Sequence, residues 1–146
     1  MKELRRTPVP KKLIIWICAA ILGAVPAAAY QAAAEDARAG TWIGTWQADA
    51  SNGGFELTLE KGKEGPLTGR VSVTGEPTYK ATLKTLTIEG DKLAASYDFP
   101  LADGVEVRLA GTFDGTACKG TWVVRETANA TTAAQGTWSV TKKQVQ

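Results

Sequence analysis

The chain of 146 residues has room for one domain, and its 17 Lys and Arg residues nearly balance its 15 Asp and Glu residues. It contains no histidine, which removes the most common metal ligand and the usual general base of enzymes. A formal net charge of +2 gives no argument for nucleic-acid binding.

The first 29 residues have the layout of an export signal. A basic segment, Met1–Lys12, precedes the apolar run Leu13–Val25, and the small residues Ala27–Ala29 follow. This order is typical of a secretory signal peptide, cleaved here after Ala29 or after Ala34. An uncleaved anchor helix is the alternative, but the apolar run is shorter than the roughly 20 residues that a membrane span needs. We predict a signal helix at residues 1–29, a periplasmic or secreted protein, and no stable membrane span in the mature chain.

Removal of this signal changes the charge and leaves a single cysteine. The signal holds five of the 17 basic residues and one of the 15 acids, so 12 basic and 14 acidic residues remain. The near-neutral remainder again argues against nucleic acid as a partner. Cys118 is the only cysteine after the signal, so no disulfide can form within the mature chain.

Residues 30–39 are rich in alanine and are predicted to be a flexible leader, with a short helix as the alternative. From Gly40 onwards, apolar and polar residues alternate with a period of two, which indicates half-buried β-strands. The predicted strands are 41–48, 55–60, 67–74, 85–89, 93–99, 105–113, 118–125 and 136–141. The stretch 79–89 is less regular because Leu83 and Leu86 are out of phase, which predicts a bulge, or a loop before Thr85–Glu89.

These segments predict an all-β domain at residues 40–146. Eight strands in roughly 105 residues, with turn residues between them, favour an antiparallel up-and-down barrel over an open sheet with two exposed edges. A closed barrel places its first and last strands side by side.

The predicted inner face carries no charged side chain. Its members are Trp42, Trp46, Phe55, Leu57, Leu59, Leu67, Val71, Val73, Ile88, Tyr97, Phe99, Val107, Leu109, Phe113, Cys118, Trp122, Val124, Trp138 and Val140. Glycines share this phase at 44, 69, 111, 120 and 136. Glycine inside a strand costs about 0.5–1 kcal/mol relative to alanine, so these positions need a reason. We expect that they let strands coil sharply and make room for the indole two residues along.

A barrel of this size is either filled by its side chains or holds one small ligand. In the first case Trp42, Trp46, Phe113, Trp122 and Trp138 form a dry plug. In the second case an apolar pocket lies at the open end of the barrel. The predicted ligand-binding residues are Trp46, Tyr97, Phe99, Trp122 and Trp138.

Short motifs resemble those of the calycin group, the lipocalin and avidin barrels. They are Gly40-Thr41-Trp42 on the first strand, Leu67-Thr68-Gly69, and a closing Gly136-Thr137-Trp138. The resemblance implies a ligand-binding barrel in which Trp42 packs across the closed end. Where avidins carry an Asn and a Ser for biotin, this chain has Ile43-Gly44-Thr45-Trp46, so biotin is not expected. No inward Arg or Lys is evident, so a carboxylate ligand is not expected either.

No enzyme activity, metal or cofactor is predicted. Asp98, Asp103 and Asp114 lie near turns, where acids commonly form the turn itself, and Cys118 has no histidine to activate it. We therefore predict an exported lipocalin-like barrel that binds a small neutral apolar ligand. The alternative is a solid-core protein-interaction module: either a protease inhibitor that inserts residues 30–39 into an enzyme, or a structural accessory domain.

Overall fold

Antiparallel β-strands make up one sheet in the computed structural model, which describes residues 37–63 and 65–146. They are β1 (Gly40–Gln47), β2 (Asn52–Lys61), β3 (Leu67–Val73), β4 (Tyr79–Thr82), β5 (Thr85–Glu89), β6 (Lys92–Asp98), β7 (Val105–Asp114), β8 (Ala117–Glu126) and β9 (Thr132–Lys142). The predicted signal helix and most of the predicted leader lie outside the described residues. Within the described ranges, no helix is both long enough and apolar enough to cross a bilayer.

The order of the strands in the sheet brings the two ends of the domain together. The sheet runs β4-β3-β2-β1-β9-β8-β7-β6-β5, so the first and last strands pair at its centre. In this pairing Gly44 lies opposite Val140 and Trp46 lies opposite Trp138. The predicted neighbourhood of the first and last strands is confirmed.

The edge strands β4 and β5 are consecutive in the chain and are separated only by Leu83 and Lys84. The Leu83 N–H donates to the carbonyl of Gly69 on β3 at 2.8 Å, and the Lys84 N–H donates to the carbonyl of Ser96 on β6 at 2.7 Å. One short connection therefore bonds to both halves of the sheet. Among the described residues β4 and β5 do not pair with each other, so the sheet is a curled half-barrel; it is compatible with a small β-barrel, but the predicted closure is not observed.

The prediction of eight strands is wrong, because the described chain has nine. The difference lies where the sequence is out of phase: the stretch 79–89 divides at Leu83 and Lys84 into two short strands. The first pairs with β3 and the second with β6. A single flat strand cannot pair with both partners, and the break lets the chain change partner.

The predicted inner face forms the core. All of its residues are buried or pack against the buried cluster, with Phe99, Trp122 and Val124 only partly buried. The sequence prediction omitted Leu93 and Ala95 from this set, although both are buried. No charged residue belongs to this core within the described ranges.

Glycines make room for indoles across strands rather than along them, which corrects the sequence-based expectation. Trp122 lies opposite Gly136, and Trp138 lies opposite Gly120. A Cβ atom on Gly136 would stand 2.6 Å from Cζ2 of Trp122, and one on Gly111 would stand 2.6 Å from Cζ2 of Trp138. The Trp122 indole therefore lies over a glycine of the adjacent strand β9, and the Trp138 indole lies over a glycine of β7, two strands away.

This contact predicts that Gly111→Ala destabilises the protein by about 1–3 kcal/mol, the usual cost of overpacking a core. The added methyl group meets the rigid Trp138 ring, whose neighbours hold it in place. Urea unfolding followed by circular dichroism measures the change. Gly65→Ala is the matched control, because a Cβ there meets no atom within 4 Å, and we expect its free energy of unfolding to stay within about 0.5 kcal/mol of the wild type. Equal stability of the two variants would contradict the packing argument.

Candidate ligand-binding cavity

The two ends of the core differ. We call the end with the β1–β2, β3–β4, β6–β7 and β8–β9 connections the open end, and the opposite one the filled end. At the filled end, Trp42 is fully buried and its ring centroid lies 5.1 Å from that of Phe113. The Arg38 guanidinium lies 4.2 Å from the centroid of the Phe113 ring, and the Trp42 indole N–H donates to the Arg38 carbonyl at 3.0 Å. Aromatic rings and a cation close this end.

Residues 37–39, the described part of the predicted leader, are attached to the filled end. Besides the two contacts of Arg38, the Lys142 ammonium at the end of β9 donates to the Ala37 carbonyl at 2.8 Å. These contacts fix the chain immediately before β1.

An apolar cavity of about 320 Å³ occupies the open end. All five predicted ligand-binding residues line it: Trp46, Tyr97, Phe99, Trp122 and Trp138. The remaining lining is Ala48, Ser51, Phe55, Val73, Glu76, Pro77, Tyr79, Val107, Leu109, Val124 and Ala134. Ser51, Glu76 and Pro77 are exposed, so the cavity opens to solvent between the β1–β2 and β3–β4 connections. The dry plug is therefore wrong for this end of the core.

The three tryptophans that line the cavity form part of its wall, because each indole N–H donates a hydrogen bond to a backbone carbonyl. Trp46 donates to the Thr74 carbonyl at 3.0 Å and Trp138 to the Thr121 carbonyl at 3.0 Å. The Trp122 N–H lies 3.2 Å from both the Gln47 and the Thr137 carbonyl oxygens. A buried indole N–H needs such a partner, and here the partner holds the ring beside the sheet. The wall thus presents carbon atoms to the cavity.

Ring-to-ring contacts stiffen this wall. Trp46 and Trp122 pack edge to face with centroids 6.1 Å apart, and Phe55 lies 5.5 Å from Trp138. Tyr79 packs edge to face on Phe99 at 5.2 Å. Such pairs contribute about 0.5–1.5 kcal/mol each beyond the area they bury. These contacts fix the positions of the rings that line the cavity.

Two tyrosines that line the cavity have their hydroxyl groups side by side. The Tyr79 and Tyr97 oxygens lie 2.8 Å apart and share a hydrogen bond. Burial raises the pKa of Tyr97 far above its usual range, and contact with Tyr79 adds to the effect. Burial likewise raises the pKa of Tyr79, although its bond to Tyr97 opposes the shift. Both hydroxyls therefore remain protonated and neutral at ordinary pH.

Tyr79 is the aromatic residue of the lining that sequence analysis missed. It belongs to the irregular stretch 79–89, so its face could not be assigned from alternation alone. Pairing with Val73 on β3 sets its phase, and the edge position of β4 brings it to Tyr97 on β6. The sequence offers one indication of its placement: Val71 and Val73 on the preceding strand lie on the inner face.

The acids and the thiol considered for catalysis do not form a cluster. In the described residues, no group of three or more Cys, Asp or Glu side chains could hold a metal ion. Asp98 forms an exposed ion pair with Lys84 at 3.1 Å. Cys118 is buried at the filled end, and burial raises the pKa of its thiol to about 12, although the Arg38 charge opposes this shift.

Comparison of the chain with protein-family models, with curated proteins and with solved structures finds no match. The curled antiparallel sheet is established by the strand pairing alone. The resemblance to lipocalin and avidin barrels rests on the short motifs given above.

The raised pKa values predict that the protein loses stability in alkali. The unfolded chain releases the Cys118 proton near its ordinary pKa of 9.0, whereas the folded chain keeps it until about 12. Stability is therefore complete below about pH 9 and falls by up to about 1.4 kcal/mol per pH unit for this group as the pH rises towards 12. Tyr97 acts in the same direction at higher pH.

Urea unfolding of the wild type and of Cys118→Ala between about pH 7 and pH 11 measures this effect. We expect Cys118→Ala to be less stable at neutral pH, because a core sulfur is lost, and to show a shallower alkaline decline. Parallel declines in the two proteins would contradict the assignment to Cys118.

Proposed function

We propose that the protein is an exported, lipocalin-like barrel that binds a small neutral apolar molecule in the open-end cavity. The observation that carries this proposal is the cavity itself, whose inner wall is aromatic and aliphatic carbon around one neutral polar group. Ligand sites are typically concave, mostly apolar and furnished with a few placed polar groups. Export is inferred from the layout of residues 1–29.

The volume limits the size of the ligand. A dry engineered cavity of about 150 Å³ holds benzene. The present cavity, at about 320 Å³, has twice that volume and suits a molecule with two fused rings or a short branched chain. It lies at the lower end of the range of about 300–1,000 Å³ usual for ligand pockets.

The charge distribution supports a neutral ligand. Glu76 is the only charged residue of the described cavity lining, and it lies exposed at the mouth. An anion in the cavity would lose its hydration without gaining a cationic partner, which is costly in an apolar site. A cation would meet one solvent-screened carboxylate and no inner counter-charge.

The protein-interaction alternative has less support. An inhibitor of the kind considered above would insert residues 30–39 into another protein. The described end of that segment, residues 37–39, is instead held at the filled end through Trp42, Phe113 and Lys142. No contact among the described residues favours the insertion of this segment into another protein.

Binding of a neutral naphthylamine dye tests the proposal. We expect saturable dye fluorescence with the purified protein and a matching change in tryptophan emission, because Trp46, Trp122 and Trp138 line the cavity. In Val124→Trp a second indole occupies the cavity, and we expect the dye affinity to fall at least about tenfold, roughly the loss of 1.4 kcal/mol of binding free energy.

Val123→Trp is the matched control. Val123 is the next residue of β8, and alternation places it on the outer face, where it lies beside Thr121 and Ala110 rather than the cavity. We expect this variant to bind the dye as the wild type does. Absence of saturable binding by the wild type, or equal loss in both variants, would overturn the proposed function.

A further inference from the structure

The polar groups of the cavity differ in whether they are free to bond a ligand. The three indole N–H groups donate to backbone carbonyls, and Ser51 and Glu76 lie exposed at the mouth. The Tyr79–Tyr97 pair is left as the inner polar group. This inference rests on the proposed function, because it concerns the ligand of the same cavity.

The two hydroxyls together have one hydrogen to spare. Each phenol carries one O–H donor, and the bond of 2.8 Å between the oxygens uses one of the two hydrogens. Neither hydroxyl has another hydrogen-bond partner among the described residues. One O–H donor therefore remains, beside Phe99 and the carbon wall of the cavity.

A partly buried O–H donor without a partner is unfavourable. A neutral acceptor satisfies it with the smallest desolvation cost. A carbonyl oxygen accepts such a bond and carries no charge to desolvate. A carboxylate would accept it too, but would enter a site with no cation and with Glu76 at its mouth.

We propose that the cavity selects small bicyclic or similarly sized apolar molecules with one carbonyl oxygen, which accepts the spare hydrogen of the Tyr79–Tyr97 pair. Specificity within the neutral apolar class then comes from these two hydroxyls, while the aromatic wall supplies affinity. Removal of only one tyrosine hydroxyl leaves the other with its own hydrogen free. Both must be removed to abolish the donor.

Titration calorimetry with three probes of similar size tests this selection: the ketone tetralone, the hydrocarbon tetralin and the anion naphthoate. With the wild type we expect saturable binding of tetralone and tetralin and at least about tenfold weaker binding of naphthoate. In the double variant Tyr79→Phe/Tyr97→Phe, the ketone oxygen enters the cavity unbonded. We expect its affinity to fall roughly 5- to 100-fold while the tetralin affinity changes by less than about twofold.

Ser96→Ala is the control for a merely structural role of the hydroxyl pair. It removes the bond of 2.7 Å between the Ser96 and Thr85 hydroxyls, which joins β6 to β5 on the outer face. We expect this variant to lose stability while keeping the wild-type affinities for tetralone and tetralin. Thermal melting of each protein without ligand separates the loss of stability from the loss of selectivity.

The outcomes separate the two proposals. If tetralone and tetralin lose affinity equally in the double variant, or if naphthoate binds the wild type as tightly as tetralone, the carbonyl selection is overturned and the apolar cavity site stands. If none of the probes binds the wild type, the proposed function fails as well. Should the double variant not fold, the wild type still decides, because tenfold weaker binding of tetralone than of tetralin would overturn the selection.

Discussion

The structure depends on contacts between tryptophans and glycines of nearby strands. Trp46 packs against Gly53 and Trp122 against Gly136 on adjacent strands, while the Trp138 ring reaches Gly111, two strands away. A glycine at these positions removes the side chain on which the indole would otherwise rest, so the ring approaches the backbone and donates its N–H to a backbone carbonyl. The glycines cost strand stability, and the packing and hydrogen bonds of the indoles offset that cost.

A tryptophan fills the interior of the sheet where no glycine lies beside its ring. Trp42 pairs with Leu57 on β2 and with Lys142 on β9, and its ring packs on Phe113 across the interior. That end of the core is filled. Two kinds of cross-strand neighbour thus divide one continuous apolar face into a solid half and a hollow half. Three tryptophans can line the cavity without filling it because each is held against the sheet beside a glycine.

Alternation along the chain predicts the inner face, because a strand residue faces the core or solvent with a period of two. It does not predict which residues lie opposite each other, since a shift by two residues keeps every face and changes every pair. The inner face is therefore readable from the sequence of Val105–Asp114, whereas the pairing of Trp138 with Gly120 depends on the register between β8 and β9. For the same reason the sequence left both the plug and the pocket open. The division of β4 from β5 was visible only as an irregularity at Leu83.

That irregularity also explains why the polar group of the cavity lies where it does. The chain changes partner between Thr82 and Thr85, so the short strand β4 ends the sheet on one side while β6 lies next to the other edge. Tyr79 on β4 and Tyr97 on β6 then meet across the gap between the sheet's edges, and their hydroxyl bond ties those edges together inside the cavity. A ligand bonded to this pair would contact both edges at once. Because such a site does not exist in the unfolded chain, the free energy of binding would add to the stability of the curled sheet.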